Sequence, residues 1–213
     1  MSSRALRALG AFLAVALVAS LVGALVLPAD LQAPVHFGPA GTPDRYGGRA
    51  EVLLACPALL AFFLGIGTWT RRRPELEASG TALDASLVSG GLLLVVLHGA
   101  ILLLAGGVPV PLPALVRVGL SLLFIVIGNV MPKTRTNHLV GVRTPWTLRS
   151  AHSWRRTHVL ASRLFVGLGL VLLVLALAWP ARFAAGLLAG LPVVVVALFV
   201  ASWHFARHEP SAP

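Results

Sequence analysis

Six long apolar runs, separated by polar segments of unequal length, set the pattern of the chain. They fall at about 8–27, 52–69, 83–105, 115–131, 160–179 and 183–203. Each is close to the ~20 residues a helix needs to cross the hydrocarbon layer. In lipid, a spanning element must satisfy its own backbone hydrogen bonds, so each run predicts a transmembrane helix. The expected fold class is therefore all-α, a polytopic membrane protein with six transmembrane helices. The breaks agree with this reading: Pro28 closes the first run, Arg71-Arg72-Arg73-Pro74 the second, Gly106-Gly107 the third and Pro132 the fourth. Only Pro180, Ala181 and Arg182 part the last two runs, which predicts a tight antiparallel helical hairpin. Arg4 and Arg7 ahead of the first run resemble a secretory signal, but the run is longer than a signal core and more spans follow, so a retained first helix is expected.

Composition sharpens this picture. The chain of 213 residues is 57% hydrophobic and 11% charged, whereas a soluble domain carries about 25% charged residues. A water-soluble protein of this size is excluded. The net charge of +10 invites a nucleic-acid reading, but no basic, aromatic-bearing domain is present to support direct nucleic-acid binding. The basic residues are read instead by the positive-inside rule, with membrane lipids as their partners. With both the N-terminus and C-terminus cytoplasmic, the inside holds 13 of the 17 Lys and Arg residues, and the outside holds Arg45, Arg49, Arg117 and Arg182. Trp69, Trp179 and Trp203 stand at span ends, where interfacial anchors belong. Cys56 is the single cysteine and lies within an apolar run, so it reads as a packing residue, and an intramolecular disulfide is excluded.

Two polar connections exceed turn length. The outer one, 28–50, contains His36, Gly41 and Asp44 among recurrent Gly and Pro, and predicts a compact series of turns. In it His36 and Asp44 pair, or Asp44 caps a turn. One His and one Asp do not make a metal site, and none is expected. The inner one, 132–158, is dense in Asn, Pro, Trp, Arg and His. Asn129, near the end of the fourth run, needs a partner for its amide. Pro132 stops that helix, and Lys133 or Arg135 can supply donors to its last carbonyls. Pro145 forces Thr144 to be extended, and Thr147 or Ser150 can cap the next helix. Trp154, His158, Ala161 and Phe165 then share one helical face. Asn137, Gly141, Thr144 and Pro145 in this order suggest a fixed backbone shape, which attraction to headgroups alone does not require. His98 is the deepest ionisable residue of the spans. No metalloprotease, nucleophile-elbow or phosphate-loop motif is present, so neither an enzyme nor a cofactor is expected.

The ordered run Gly128-Asn129-x-Met131-Pro132-Lys133, Asn137, Gly141-Val142-Arg143-Thr144-Pro145-Trp146-Thr147-Leu148, Trp154 and Thr157-His158 resembles the SdpI family of bacterial membrane proteins. That family is typified by an immunity protein against a secreted toxic peptide. Leu27-Pro28, His36-Phe37, Gly41 and Pro43-Asp44 look like the small N-terminal domain of unknown function that often accompanies it. The resemblance implies a multi-pass immunity protein of the bacterial cytoplasmic membrane that protects against a peptide toxin. It also implies signalling, in which the engaged protein holds a cytosolic transcriptional repressor at the inner face. The organisation expected is a two-helix unit at 1–70 with an extracytoplasmic loop, then a four-helix SdpI-like unit at 71–213 with the signature loop at 132–158. Family members often carry acidic residues between positions 148 and 154, whereas this chain reads Arg149-Ser150-Ala151-His152-Ser153. The alternative function is a small transporter or a lipid or envelope-stress protein using His98 and the basic inner loop.

Overall fold

The computed structural model describes residues 1–208. Six long helices run antiparallel in sequence order: α1 (Ser3–Val26), α2 (Arg49–Arg71), α3 (Gly80–Ala105), α4 (Leu112–Val130), α6 (Ala151–Ala178) and α7 (Phe183–Arg207). A seventh, α5 (Pro145–Arg149), is a single short turn ahead of α6. All six long helices are long and apolar enough to cross a membrane, so the all-α polytopic class stands. Leu25, Leu177, Leu188 and Val193 point outward on them, as lipid-facing side chains do. Arg73 lies over the Trp69 ring at 4.8 Å and Arg207 over Trp203 at 4.4 Å, which fits aromatic anchors beside phosphate-level cations.

The helices form two linked groups. α1, α2 and α3 pack on one another, α6 packs on both α4 and α7, and α3 joins the groups through α4. Lipid removes most of the hydrophobic drive between helices, so association depends on close fit. The α4–α6 contact shows how that fit is reached. A Cβ on Gly128 would stand 2.9 Å from the backbone nitrogen of Val166 and 3.0 Å from the Ser162 carbonyl oxygen; one on Gly169 would stand 2.8 Å from the Ser121 carbonyl oxygen. Each glycine lets the other helix's backbone approach. Beside this contact, Leu168, Leu172, Phe183, Val194 and Leu198 form the core between α6 and α7.

One end of the bundle carries a feature that the pattern of turns did not predict. Strands β1 (Gln32–Phe37) and β2 (Pro43–Gly48) pair antiparallel, with Pro34 opposite Tyr46 and irregularities around His36. The tip is closed by Gly38 N donating to Thr42 O at 3.0 Å, with Gly41 at φ +80°. The hairpin is anchored because Leu27, Leu31, Ala33, Val52 and Leu53 bury a small core at its base. Arg49 also donates a hydrogen bond to the Ala24 carbonyl of α1. The segment is thus a short β-hairpin rather than a chain of turns, since Ala33 and Val35 gain packing that Gly and Pro alone do not offer.

At the opposite end, the backbone nitrogen of Ser2 donates to both carboxylate oxygens of Asp84, at 3.1 and 3.2 Å, and ties the start of α1 to α3. Deeper in the first group, Ser20 Oγ donates to the Leu53 carbonyl at 2.6 Å and lies 2.9 Å from His98 Nε2. That chain of contacts joins α1, α2 and α3. Replacing Gly128 by Leu should drive α4 from α6 and cost about 1–3 kcal/mol by overpacking. Gly167→Leu should be near neutral, because no neighbouring helix lies within 4 Å of its Cβ position. Thermal unfolding of both variants in detergent checks the contrast.

Candidate functional site

The site grows from the polar loop between α4 and α6. α4 ends at Val130, and a 3-10 turn at Met131–Lys133 carries Pro132. The freed Met131 carbonyl accepts from the Thr134 backbone nitrogen at 3.1 Å and from Thr134 Oγ1 at 2.8 Å. Thr134, rather than Lys133 or Arg135, therefore closes the helix, because its hydroxyl reaches back three residues while remaining buried. Lys133 projects outward. Asn129 is also exposed and makes no side-chain hydrogen bond among the described residues. It sits on the outer surface of the helix end, so no described protein group supplies the partner its amide needs.

Asn137 is the first organiser of the loop. Its Oδ1 accepts from Leu139 N at 2.8 Å and Val140 N at 2.7 Å, and its Nδ2 donates to the carbonyls of Arg135 at 2.6 Å and Val140 at 3.1 Å. Nδ2 also lies 3.3 Å from Ser79 Oγ. Ser79 ends the 3-10 turn Pro74–Ser79 before α3, and its Oγ accepts from Arg135 N at 3.0 Å. One buried amide thus satisfies four loop groups and joins the loop to the α2–α3 connection.

Trp154 and His158 form the second organiser. They lie one turn apart on α6, stack at 4.2 Å with their planes 19° apart, and are almost wholly buried. His158 Nε2 accepts from the backbone nitrogen of Val142 at 3.0 Å, and Nδ1 donates to the Trp154 carbonyl at 2.8 Å. An amide can only donate, so this geometry assigns the neutral imidazole with its proton on Nδ1. Trp154 Nε1 donates to the Thr134 carbonyl at 3.3 Å. Gly141 has φ +117°, and a Cβ there would run into His158 Nε2 and stand 3.1 Å from Trp154. Glycine is required on both counts, conformation and space.

The loop closes on α5 through a capping box. Thr144 Oγ1 accepts from Thr147 N at 3.2 Å, and Thr147 Oγ1 accepts from Thr144 N at 2.9 Å. Pro145 occupies the first helical position, where its missing N–H costs nothing. Thr144 Oγ1 also donates to Ser202 Oγ of α7 at 3.0 Å, and Ser153 Oγ donates to the Ser202 carbonyl at 2.8 Å. Ser150 caps α6 by accepting from Ser153 N at 2.9 Å. Trp146 meets Phe199 of α7 edge-on at 5.1 Å. Thr157 is fully buried, and its hydroxyl has no partner among the described residues. Arg143 is exposed, with Nη1 donating to the His138 carbonyl at 2.7 Å.

The structure therefore brings Asn137, Gly141, Thr144, Pro145, Trp146, Trp154 and His158 together around one loop, while Thr157 is buried on α6 with no hydrogen bond to its hydroxyl among the described residues. Gly128 belongs to the α4–α6 contact, while Asn129, Lys133 and Arg143 lie on the outer surface. Ser79, Ser153 and Ser202 were missed. Their only sequence signal is that a hydroxyl interrupts an apolar or helix-terminal stretch. At the other end of the bundle, His36 Nδ1 lies 2.5 Å from Asp44 Oδ1, so these two pair across the hairpin. Beside them Arg45 bonds Glu51 at 2.7 and 3.0 Å, and that carboxylate holds the guanidinium above its ordinary pKa. Gly41 shapes the hairpin tip and has no contact with the signature loop.

Residues 133–203 match the SdpI/YfhL protein family, and residues 11–61 match a domain of unknown function (DUF1648). Over 84 residues the chain is 34% identical to the immunity protein SdpI of Bacillus subtilis (strain 168), covering 39% of this chain and 41% of that protein. The match thus spans less than half the length of that curated relative. No solved structure matches the chain. These findings bear out the resemblance carried by the two polar segments. Together with the six apolar helices, they identify a multi-pass protein of the bacterial cytoplasmic membrane.

The loop's own chemistry yields two expectations. Gly141→Ala should cost about 1–3 kcal/mol from backbone strain alone, with the clash on His158 added, and should speed proteolytic cleavage within 134–144 while far-ultraviolet dichroism keeps its helical amplitude. Thr144→Val, which removes the cap, should lower loop stability by about 1 kcal/mol, read from the denaturant dependence of the same cleavage.

Proposed function

We propose that this SdpI-type membrane protein is an immunity protein, guarding the membrane of its cell against a secreted peptide toxin by binding rather than by catalysis. The observation that carries the reading is the 34% identity to a curated immunity protein over 84 residues. The family match over 133–203 supports extending it to the organised loop, most of which lies inside that range. In this reading both termini are cytoplasmic, as the distribution of 13 of 17 basic residues favours. The N-terminal unit, residues 1–70, presents the hairpin outside, where His36, Asp44 and the exposed Tyr46 meet the toxin. The four-helix unit that follows presents the loop inside.

The division of labour within the loop follows from burial. Asn137, Gly141, Thr144, Trp154 and His158 are turned inward and set the shape. Lys133, Arg143 and Arg149 are turned outward and present positive charge to a cytosolic partner, for which a transcriptional repressor is the candidate. Substituting an inward residue acts through the loop's fold, whereas substituting Arg143 acts on recognition.

A survival assay tests this. Wild type and Arg143→Ala are expressed at equal membrane levels in a sensitive bacterium and challenged with membrane-active peptide toxins. Wild type should protect, and the variant should lose protection while still inserting normally. Equal protection by both would remove Arg143 from the mechanism. Protection by neither, across the panel, would contradict the immunity reading.

A further inference from the structure

A cavity of about 460 Å³ opens at the signature loop, lined by Thr134, Arg135 and Thr136 on one side and by Ala151, His152, Trp154 and Arg155 on the other. It lies between the turn that follows α4 and the first turn of α6, at the end of the bundle where the helices leave the apolar layer. The walls are held by the loop's fold. Trp154 is locked by its stack on His158 and by its bond to the Thr134 carbonyl, and the Arg135 backbone is held by Ser79.

The charge of this cavity is unbalanced. The sequence has no acidic residue between Asp84 and Glu209. Among the described residues, neither Arg135 nor Arg155 has a carboxylate within 4 Å; the ion pairs present are His36–Asp44, Arg45–Glu51 and Arg73–Glu75. Some arginines of this end have contacts of another kind: Arg143 bonds a carbonyl, and Arg156 and Arg207 lie over the rings of Phe205 and Trp203. Arg135 and Arg155 have no such contact among the described residues. Thr136 and His152, both of which carry groups able to donate, line the same space.

From this geometry we infer that the cavity is a binding site for one phosphate group, gripped by the guanidinia of Arg135 and Arg155. Two guanidinium forks facing one cavity match the tetrahedral oxygens of phosphate, which accept several charge-assisted hydrogen bonds at once. A carboxylate offers fewer acceptors, and a cation is repelled. The position at the edge of the apolar layer suits the phosphodiester of a lipid headgroup, and the opening toward solvent admits free phosphate. The ligand chemistry is the same in both cases. This site does not require the immunity reading, and binding is measured without any toxin.

The test uses the purified full-length protein, with two probes: inorganic phosphate added to protein in detergent, and phosphatidylglycerol in nanodiscs, each followed by phosphorus NMR. Three chains are compared: wild type, the double variant Arg135→Gln/Arg155→Gln, and Arg207→Gln as a basic-residue control outside the cavity. Wild type and the control should bind at one site per chain, and affinity should fall roughly tenfold for each guanidinium removed, the size of one charge-assisted hydrogen bond. Loss confined to the lipid probe assigns the site to a headgroup, and loss confined to inorganic phosphate assigns it to a soluble phosphate. Equal binding by wild type and double variant, equal loss in the control, or no binding of either probe would overturn the inference. Both side chains are exposed, so melting temperatures should agree. If the double variant melts early, Arg155→Gln alone makes the same comparison.

Discussion

The signature loop depends on one acceptor, the Nε2 of His158. A loop packed against a membrane helix has no ladder to receive its backbone donors, and a buried N–H without a partner is costly. Val142 N–H finds its partner in that imidazole nitrogen. The bond needs the neutral tautomer with the proton on Nδ1, and the Trp154 carbonyl one turn earlier fixes it. It also needs the ring close to the loop backbone, which leaves room for no side chain at Gly141. Trp154, stacked on the same ring, takes the other end of the loop through the Thr134 carbonyl. Two adjacent turns of α6 thereby hold residues 134–142 in one shape.

That shape is joined to the bundle on both sides. Asn137 and Ser79 link it to the start of α3, and Thr144, Ser153 and Ser202 link it to the end of α7. The loop thus bridges the two helix groups at one end, while Gly128 and Gly169 bring α4 and α6 together along their contact. The basic side chains that leave this framework are set at defined positions. A surface that must recognise a partner gains from such preorganisation, since less ordering remains to be done on binding.

The six spans were legible because the apolar period of a lipid-facing helix is long and nearly unbroken. Hydropathy starts the fifth at about 160, yet α6 begins at Ala151. Its first turns carry Ser153, Arg155, Arg156 and His158, which hydropathy reads as loop, while the shared face of Trp154, His158 and Ala161 was visible from spacing. Ser150 caps α6 as its residue type and place suggest, and Thr147 takes part in a cap through the Thr144 box. The hairpin at 32–48 was not legible, because Pro34, Pro43 and several glycines hide a strand pattern and its stability comes from Leu27, Leu31, Val52 and Leu53 at its base. Within the loop, Gly141 and His158 stood out as residue types, but their contact spans 16 residues of sequence, and no local rule connects them. The serines that tie helix ends failed to stand out because a single hydroxyl is common in any membrane helix.

If its own hydrogen bonds set the loop's shape, the loop is folded in the protein itself, without any partner. Hydrogen–deuterium exchange of the full-length chain in lipid nanodiscs, with no toxin or cytosolic protein added, tests it at the amides of Leu139, Val140 and Val142. Slow exchange is expected at all three, with Val142 becoming fast in His158→Ala while the mid-span amides of α6 stay protected. Rapid exchange of all three in the wild type would contradict it and would mean that the loop takes its shape only when something binds.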